Sequence, residues 1–284
     1  MPPRTALIPT RNRLAKGELD ALRWAHEQLE EPSFAARLSN TIGTPIEAAL
    51  KVLPQTWNRR IRLAAETSIR RGLAIAVPSL GGKDSPGTHN IAHKVAVSAT
   101  GAVAGFVGPL ALLAELPVTT LIMLRSIAEI ARSEGEDLAS LEGRTACVEV
   151  FALGGRSRKD DAADAGYYGL RLALALHFFG GVERVTGEAT IPLGMTAVRA
   201  IAARFGVVVS DKVALQMVPV VGALTGAAVN LAFMQHFQDV ARGHFMVRRL
   251  ERKHGSEAVR AAYMRITREK AAAAVREFSP LEGW

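Results

Sequence analysis

Polar side chains set inside apolar runs are the residues of this chain with chemistry to offer. Glu115 and Arg125 interrupt a region rich in Leu, Ile and Ala, where a charge is costly unless it is paired or hydrogen-bonded. Two readings follow. One is a buried polar site; the other places Glu115 at a helix end beside Pro117, with Arg125 pairing Glu129 one turn on and Arg132 extending the ladder. In RSRKDDAADAGYYGLRLAL, Asp161 and Asp164 suit a helix start, and Asp164, Tyr167 and Arg171 fall three and four apart on one face. Acid, phenol and guanidinium together either bind a ligand or form a structural hydrogen-bond network. A third group is His236 with Asp239 one turn on, and Asn230, His244 and His254 near them in sequence.

None of these spacings completes a metal site. A tetrahedral or carboxylate-bridged site needs more ligands than one helix turn supplies, and the chain has no H-E-x-x-H, paired E-x-x-H or C-x-x-C pattern. Metal and cofactor are therefore expected to be none. Nucleophilic and phosphate-loop chemistry are equally unsupported, for G-x-S-x-G and G-x-x-x-x-G-K-[ST] are missing and GALTGAAVN lies in a helical pattern with no strand before it. Should a hydrolase-type enzyme exist here, its polar site would have to assemble from Glu115, Asp164, His236 and Asp239.

The other chemistry is electrostatic. The formal net charge is +8, which calls for an anionic partner. The segment WNRRIRLAAETSIRRGLAI places Trp57, Ile61, Ala64, Ser68 and Ile75 on one side and Arg59, Arg62, Glu66 and Arg70 on the other, the pattern of an interfacial helix or of a solvated face. Basic residues are dispersed and lack interleaved stacking aromatics, so no specific nucleic acid is expected. The partners expected are anionic membrane lipids or a membrane-protein complex.

The elements that must position these residues are helices. With 49% hydrophobic residues but only 6% aromatic, and with 25 glycines, the composition suits closely packed helices better than a sheet, so the fold class expected is all-α, a single-domain multi-helix bundle with two long Gly/Ala-rich central helices. Residues 1–16 read as a flexible N-terminal arm, 17–277 as the helical domain and 278–284 as a tail. Within the domain, a stripe of Leu19, Leu22, His26 and Leu29 marks a first helix ending before Pro32. Thr44, Pro45 and Glu47 then start a second, over 45–53. Further helices are expected over 55–77, 89–115, 117–133, 137–153, 161–180, 189–205, 210–252 and 256–277. Gly135, Gly154, Gly206 and Gly255 stand at C-cap positions, and the turn residues of PSLGGKDSPGTH form the main loop. Val207 to Val209 read as an isolated strand fragment at most.

Two apolar stretches, 95–114 and 213–238, are long enough to consider as membrane spans, with Gly101 and Gly105 in the first and Gly222 and Gly226 in the second at close-packing spacing. Weakly partitioning Ala, Gly, Ser and Thr, interrupting prolines and the polar Asn230, Gln235, His236 and Gln238 favour central helices of a bundle instead. A single cysteine, Cys147, fits a reducing compartment, and the first twenty residues lack the apolar core of a secretory signal. The expected location is cytoplasmic, peripheral at the inner membrane if the basic helix binds lipid.

The succession AELPVTTLIMLRSIAEIARSEGEDL, ACVEVFALGG, DAGYYGLRLALA and VPVVGALTGAAVNLAFMQHFQDVARGHFMVRRLERKHG, with Tyr263 beyond it, resembles the EcsC family over roughly residues 17–267. The resemblance implies an α-helical protein found chiefly in bacteria, in a family named for a gene beside an ABC-transporter operon linked to protein secretion. It implies no catalytic mechanism and no catalytic residues, and so favours a non-enzymatic, membrane- or transporter-associated binding protein.

Overall fold

The first stripe becomes a helix as its spacing requires: Leu22, Ala25, His26 and Leu29 are buried along one face of α1 (Lys16–Glu30), and Glu18 accepts the Ala15 amide at 2.8 Å to close its first turn. The computed structural model describes residues 14–30, 34, 55–72, 109–155, 166–179, 195–216 and 222–278. These residues contain no strand and add α2 (Gln55–Arg71), α3 (Pro109–Ser133), α4 (Leu141–Leu153), α5 (Tyr167–Phe179), α6 (Met195–Gln216), α7 (Gly222–His254) and α8 (Ser256–Phe278) to α1. The all-helical class is thus as expected. The arm before Leu14, the 45–53 helix, the main loop, Gly101, Gly105, Asp161, Asp164 and the tail after Phe278 lie outside the described residues.

Several boundaries differ from expectation: α5 begins at Tyr167 rather than at 161, and the residues expected in one helix over 210–252 belong to α6 up to Gln216 and to α7 from Gly222. Pro117 does not end a helix: α3 runs through it. A proline removes one backbone donor, and here Leu116, Thr119, Thr120, Met123 and Leu124 are all buried around it, so burial offsets the lost bond. Gly206 is not a C-cap and 207–209 is not a strand, because α6 continues to Gln216 with Val208 and Val209 buried. Core contacts outweigh propensity penalties of about 1 kcal/mol or less per residue. Finally, α4 begins at Leu141 rather than at 137. Ser140 is its N-cap, accepting the Gly143 amide at 3.0 Å, while Asp137 instead accepts the Ala139 amide at 2.9 Å in the preceding turn.

Gly135 and Gly255 end α3 and α7 with φ of 75° and 87°, the left-handed region in which a side chain is strained. Gly154 ends α4 for a different reason. Its φ is an ordinary −73°, but a Cβ there would stand 2.7 Å from Cε1 of Phe237, so packing, not conformation, requires the glycine.

Three links fix α3 and α7 side by side and parallel: Asn230 to Glu115 at 3.3 Å, Gln238 to Ser126 at 2.8 Å, and Arg248 to Glu136 at 2.6 and 3.0 Å. The partners of α7 thus pass from Glu115 and Ser126 within α3 to Glu136 in the turn that follows it. Phe151, Phe205, Phe233 and Phe237 pack among α4, α6 and α7 with centroids 5.0 to 6.1 Å apart. The buried side chains of all eight helices join this cluster. Among the described residues no helix is long and apolar enough to cross a membrane.

Candidate functional site

Of the three groups legible in the sequence, the one around Tyr167 and Arg171 is the most developed. Residues 167 and 171 share a face of α5, and that face meets His244, Arg248 and Glu251 of α7, which are four and three residues apart on one side of that helix. Arg171 donates to both carboxylate oxygens of Glu251, at 2.9 and 3.0 Å, and to the Tyr167 hydroxyl at 3.3 Å. The Tyr167 hydroxyl is also hydrogen-bonded to Nδ1 of His244, at 2.9 Å. The other ring nitrogen, Nε2, faces Glu149 of α4 at 3.9 Å, beyond hydrogen-bond reach. Burial holds His244 well below its ordinary pKa, with Arg171 and Arg248 adding to the effect, so the ring is neutral. Burial likewise pushes Glu149 up, against the pull of Arg171 and Arg248.

The three tyrosines of the chain all meet here. Ring centroids of Tyr167, Tyr168 and Tyr263 lie 5.1, 5.5 and 5.2 Å apart in pairs, and the Arg171 guanidinium lies 5.3 and 5.7 Å from the first two rings. Each hydroxyl is engaged: Tyr168 donates to Glu251 at 2.9 Å and Tyr263 to Glu30 at 3.0 Å. Glu30 also accepts the Tyr167 amide at 2.9 Å, capping α5 from α1. This geometry ties α1, α5, α7 and α8 together, and it leaves no tyrosine hydroxyl poised toward solvent as a nucleophile. Beyond it lies an ionic end where Arg248 binds Glu136 and Glu142, and Arg252 also pairs with Glu136. Burial there pushes Glu136 up, but Arg248 and Arg252 together outweigh it and hold the carboxyl below the usual carboxylate range.

The second group divides. Glu115 is interior to α3 rather than at a helix end; it accepts from Thr119 at 2.9 Å and Asn230 at 3.3 Å. Arg125 is exposed, so it takes no part in a buried site, and Glu129 is half-buried one turn on. Near Glu115 lies a residue that sequence reading missed. Lys212 of α6 is 1% exposed, with Nζ 4.7 Å from the Phe233 ring centroid; burial brings its pKa down to about 8, against the opposing field of Glu115. Its neighbour Asp211, 5% exposed, is pushed up to about 7 by burial alone. Lys212 sits at the border of an apolar stretch in the sequence, where a charge reads as a boundary and gives no sign of burial.

The third group is dispersed: His244 joins the Tyr167 network and Asn230 joins Glu115, while His236 and Asp239 stand apart from both. His236 bonds the Gly154 carbonyl at 2.9 Å through Nε2 and packs on Phe34 and Phe237, whereas Asp239 accepts from Gln235 at 2.6 Å and Arg242 at 2.8 Å. Glu115, His236 and Asp239 thus serve separate partners. No cluster of three or more His, Cys, Asp or Glu suited to a metal occurs among the described residues.

On α2 the structure gives the expected two-sided helix. Ile61, Ala65, Ser68 and Ile69 are buried, while Arg59, Arg60, Arg62, Arg70 and Arg71 are exposed. Leu63, 55% exposed, lies among them. At 100° per residue, Arg59, Arg60, Arg70 and Arg71 all fall within about 80° of Leu63. Ile75 lies outside the described residues.

A comparison with curated proteins and with solved structures finds no match to this chain. The model of the EcsC protein family matches residues 83–250, a span that contains α3 to α6, almost all of α7, and the Tyr167, Arg171, His244 and Arg248 of the polar network. Because the match takes in more than half of the 284 residues, the chain belongs to the EcsC protein family.

Proposed function

We propose that this protein is a non-enzymatic, membrane-associated binding protein that docks peripherally on anionic bilayers at the cytoplasmic side of the inner membrane, where it contacts lipid or a membrane-protein complex such as a transporter. The carrying observation is the arc of arginines around Leu63 on the solvent face of α2. An amphipathic helix with a basic rim and an apolar centre fits the headgroup boundary, where each basic residue contributes roughly 1 kcal/mol at most. Glu66, half-buried at the edge of the arc, subtracts from that total. The enzymatic reading has less to rest on. The hydroxyls of the tyrosine cluster are spent on internal bonds, and Glu115, His236 and Asp239 serve different partners.

Sedimentation with phosphatidylglycerol vesicles tests the reading. Wild type is expected to pellet at low salt and to be largely released at high salt, since screening acts within about 8 to 10 Å at physiological ionic strength. The variant with Arg59, Arg62 and Arg70 changed to Gln is expected to bind less. Equal sedimentation of the two proteins would make α2 a solvated face and remove the basis of the proposal.

A further inference from the structure

Helix α5, YYGLRLALALHFF, carries only two residues with strongly polar side chains besides its tyrosines, Arg171 and His177. A helix apolar all round is normally covered on every side. Here Tyr167, Leu170 and Leu174 take the buried face, whereas Leu172 is 59% exposed, Leu176 65%, and Ala173 between them is exposed as well. The one permanent charge of the helix does nothing for that outer face. Arg171 turns inward, its guanidinium over the Tyr167 and Tyr168 rings and bonded to Glu251. What remains outward is an apolar ridge one turn long. At its border stands a cation: exposed Arg260 of α8 lies 5.7 Å from the Tyr168 ring, one turn before Leu172, with Met264, 41% exposed, one turn further along α8.

From this we infer that the outer face of α5 is a hydrophobic anchor, in which Leu172 and Leu176 enter the acyl region of an anionic bilayer while Arg260 meets the phosphates at its edge. The inference rests on the membrane reading above and assigns it a second, chemically different contact. The occupant is a bilayer because the ridge joins exposed leucines to a bordering cation on a protein of net charge +8, and an anionic interface offers hydrocarbon below phosphate in that same order. The two contacts respond differently to salt. Attraction to α2 is screened, whereas burial of leucine in hydrocarbon is not.

A thiol probe isolates the ridge. Native Cys147 is fully buried and its thiol pKa is raised by burial, so Leu176→Cys supplies a single reactive position for a polarity-sensitive fluorophore. With vesicles of equal parts phosphatidylglycerol and phosphatidylcholine, the label is expected to shift to the blue, and wild type to keep a salt-resistant bound fraction. Leu172→Gln with Leu176→Gln should weaken that fraction roughly tenfold or more and leave the helical circular dichroism signal unchanged. A label that stays water-exposed on vesicle-bound protein overturns the inference while leaving the α2 reading intact. No sedimentation at any salt overturns both. A blue shift that grows with protein concentration without vesicles makes the occupant a second copy of this chain, and also overturns it.

Discussion

Replacing Asp211 by Asn should stabilise the protein in a strongly pH-dependent way. Asp211 is buried beside Lys212 on α6, and burial alone raises its folded-state pKa from 3.8 to about 7. The sign follows from linkage: the folded state holds a proton that the unfolded state has released, so stability falls as pH rises from 3.8 to about 7 and stays low above. At roughly 1.4 kcal/mol per tenfold change, the full penalty approaches about 4 kcal/mol near neutrality and vanishes in acid. Lys212 remains mostly protonated below its pKa of about 8, so its own contribution is nearly constant across that window. Urea or thermal melts at pH 4.5 and pH 7.5 decide the matter. The variant is expected to gain little at the acid end and on the order of 10 °C in Tm at the neutral end, at about 2 to 4 °C per kcal/mol for a chain of this size. A gain equal at both pH values, or an Asn variant weaker at pH 7.5, would mean that a cation pairs with the Asp211 carboxylate, and the burial argument would fail.

Two glycines should respond in opposite directions. In Gly206→Ala the new Cβ meets nothing within 4 Å inside α6, so the variant is expected to gain about 0.5 to 1 kcal/mol in urea melts. In Gly143→Ala the Cβ would stand 2.1 Å from the Asp137 carbonyl oxygen, and a loss of about 1 to 3 kcal/mol or more is expected. Thiol titration should find Cys147 unreactive in the folded protein at neutral pH and fully reactive in denaturant, because it is 0% exposed and burial raises its pKa.

What the sequence determined by itself is local and periodic. The α1 stripe, the two faces of α2, the caps at Gly135 and Gly255 and the shared face of Tyr167 and Arg171 all follow from 3.6-residue geometry and from the allowed backbone of glycine. Its succession of motifs also carried the resemblance to the EcsC family. Where the sequence misled, a local signal met a tertiary one. Pro117, Gly206 and Val207 to Val209 each argue against helix, yet each lies where buried neighbours on α3 and α6 hold the helix together. The polar network was only half legible, because Arg171 finds Glu251 80 residues away and Tyr167 finds His244 77 residues away. Nothing local distinguishes those partners from other polar residues of α7. Lys212 and Asp211 show the same limit from the other side: a charge beside an apolar run is ordinarily a helix end in water, and only the packing of α3, α6 and α7 decides that this one is buried.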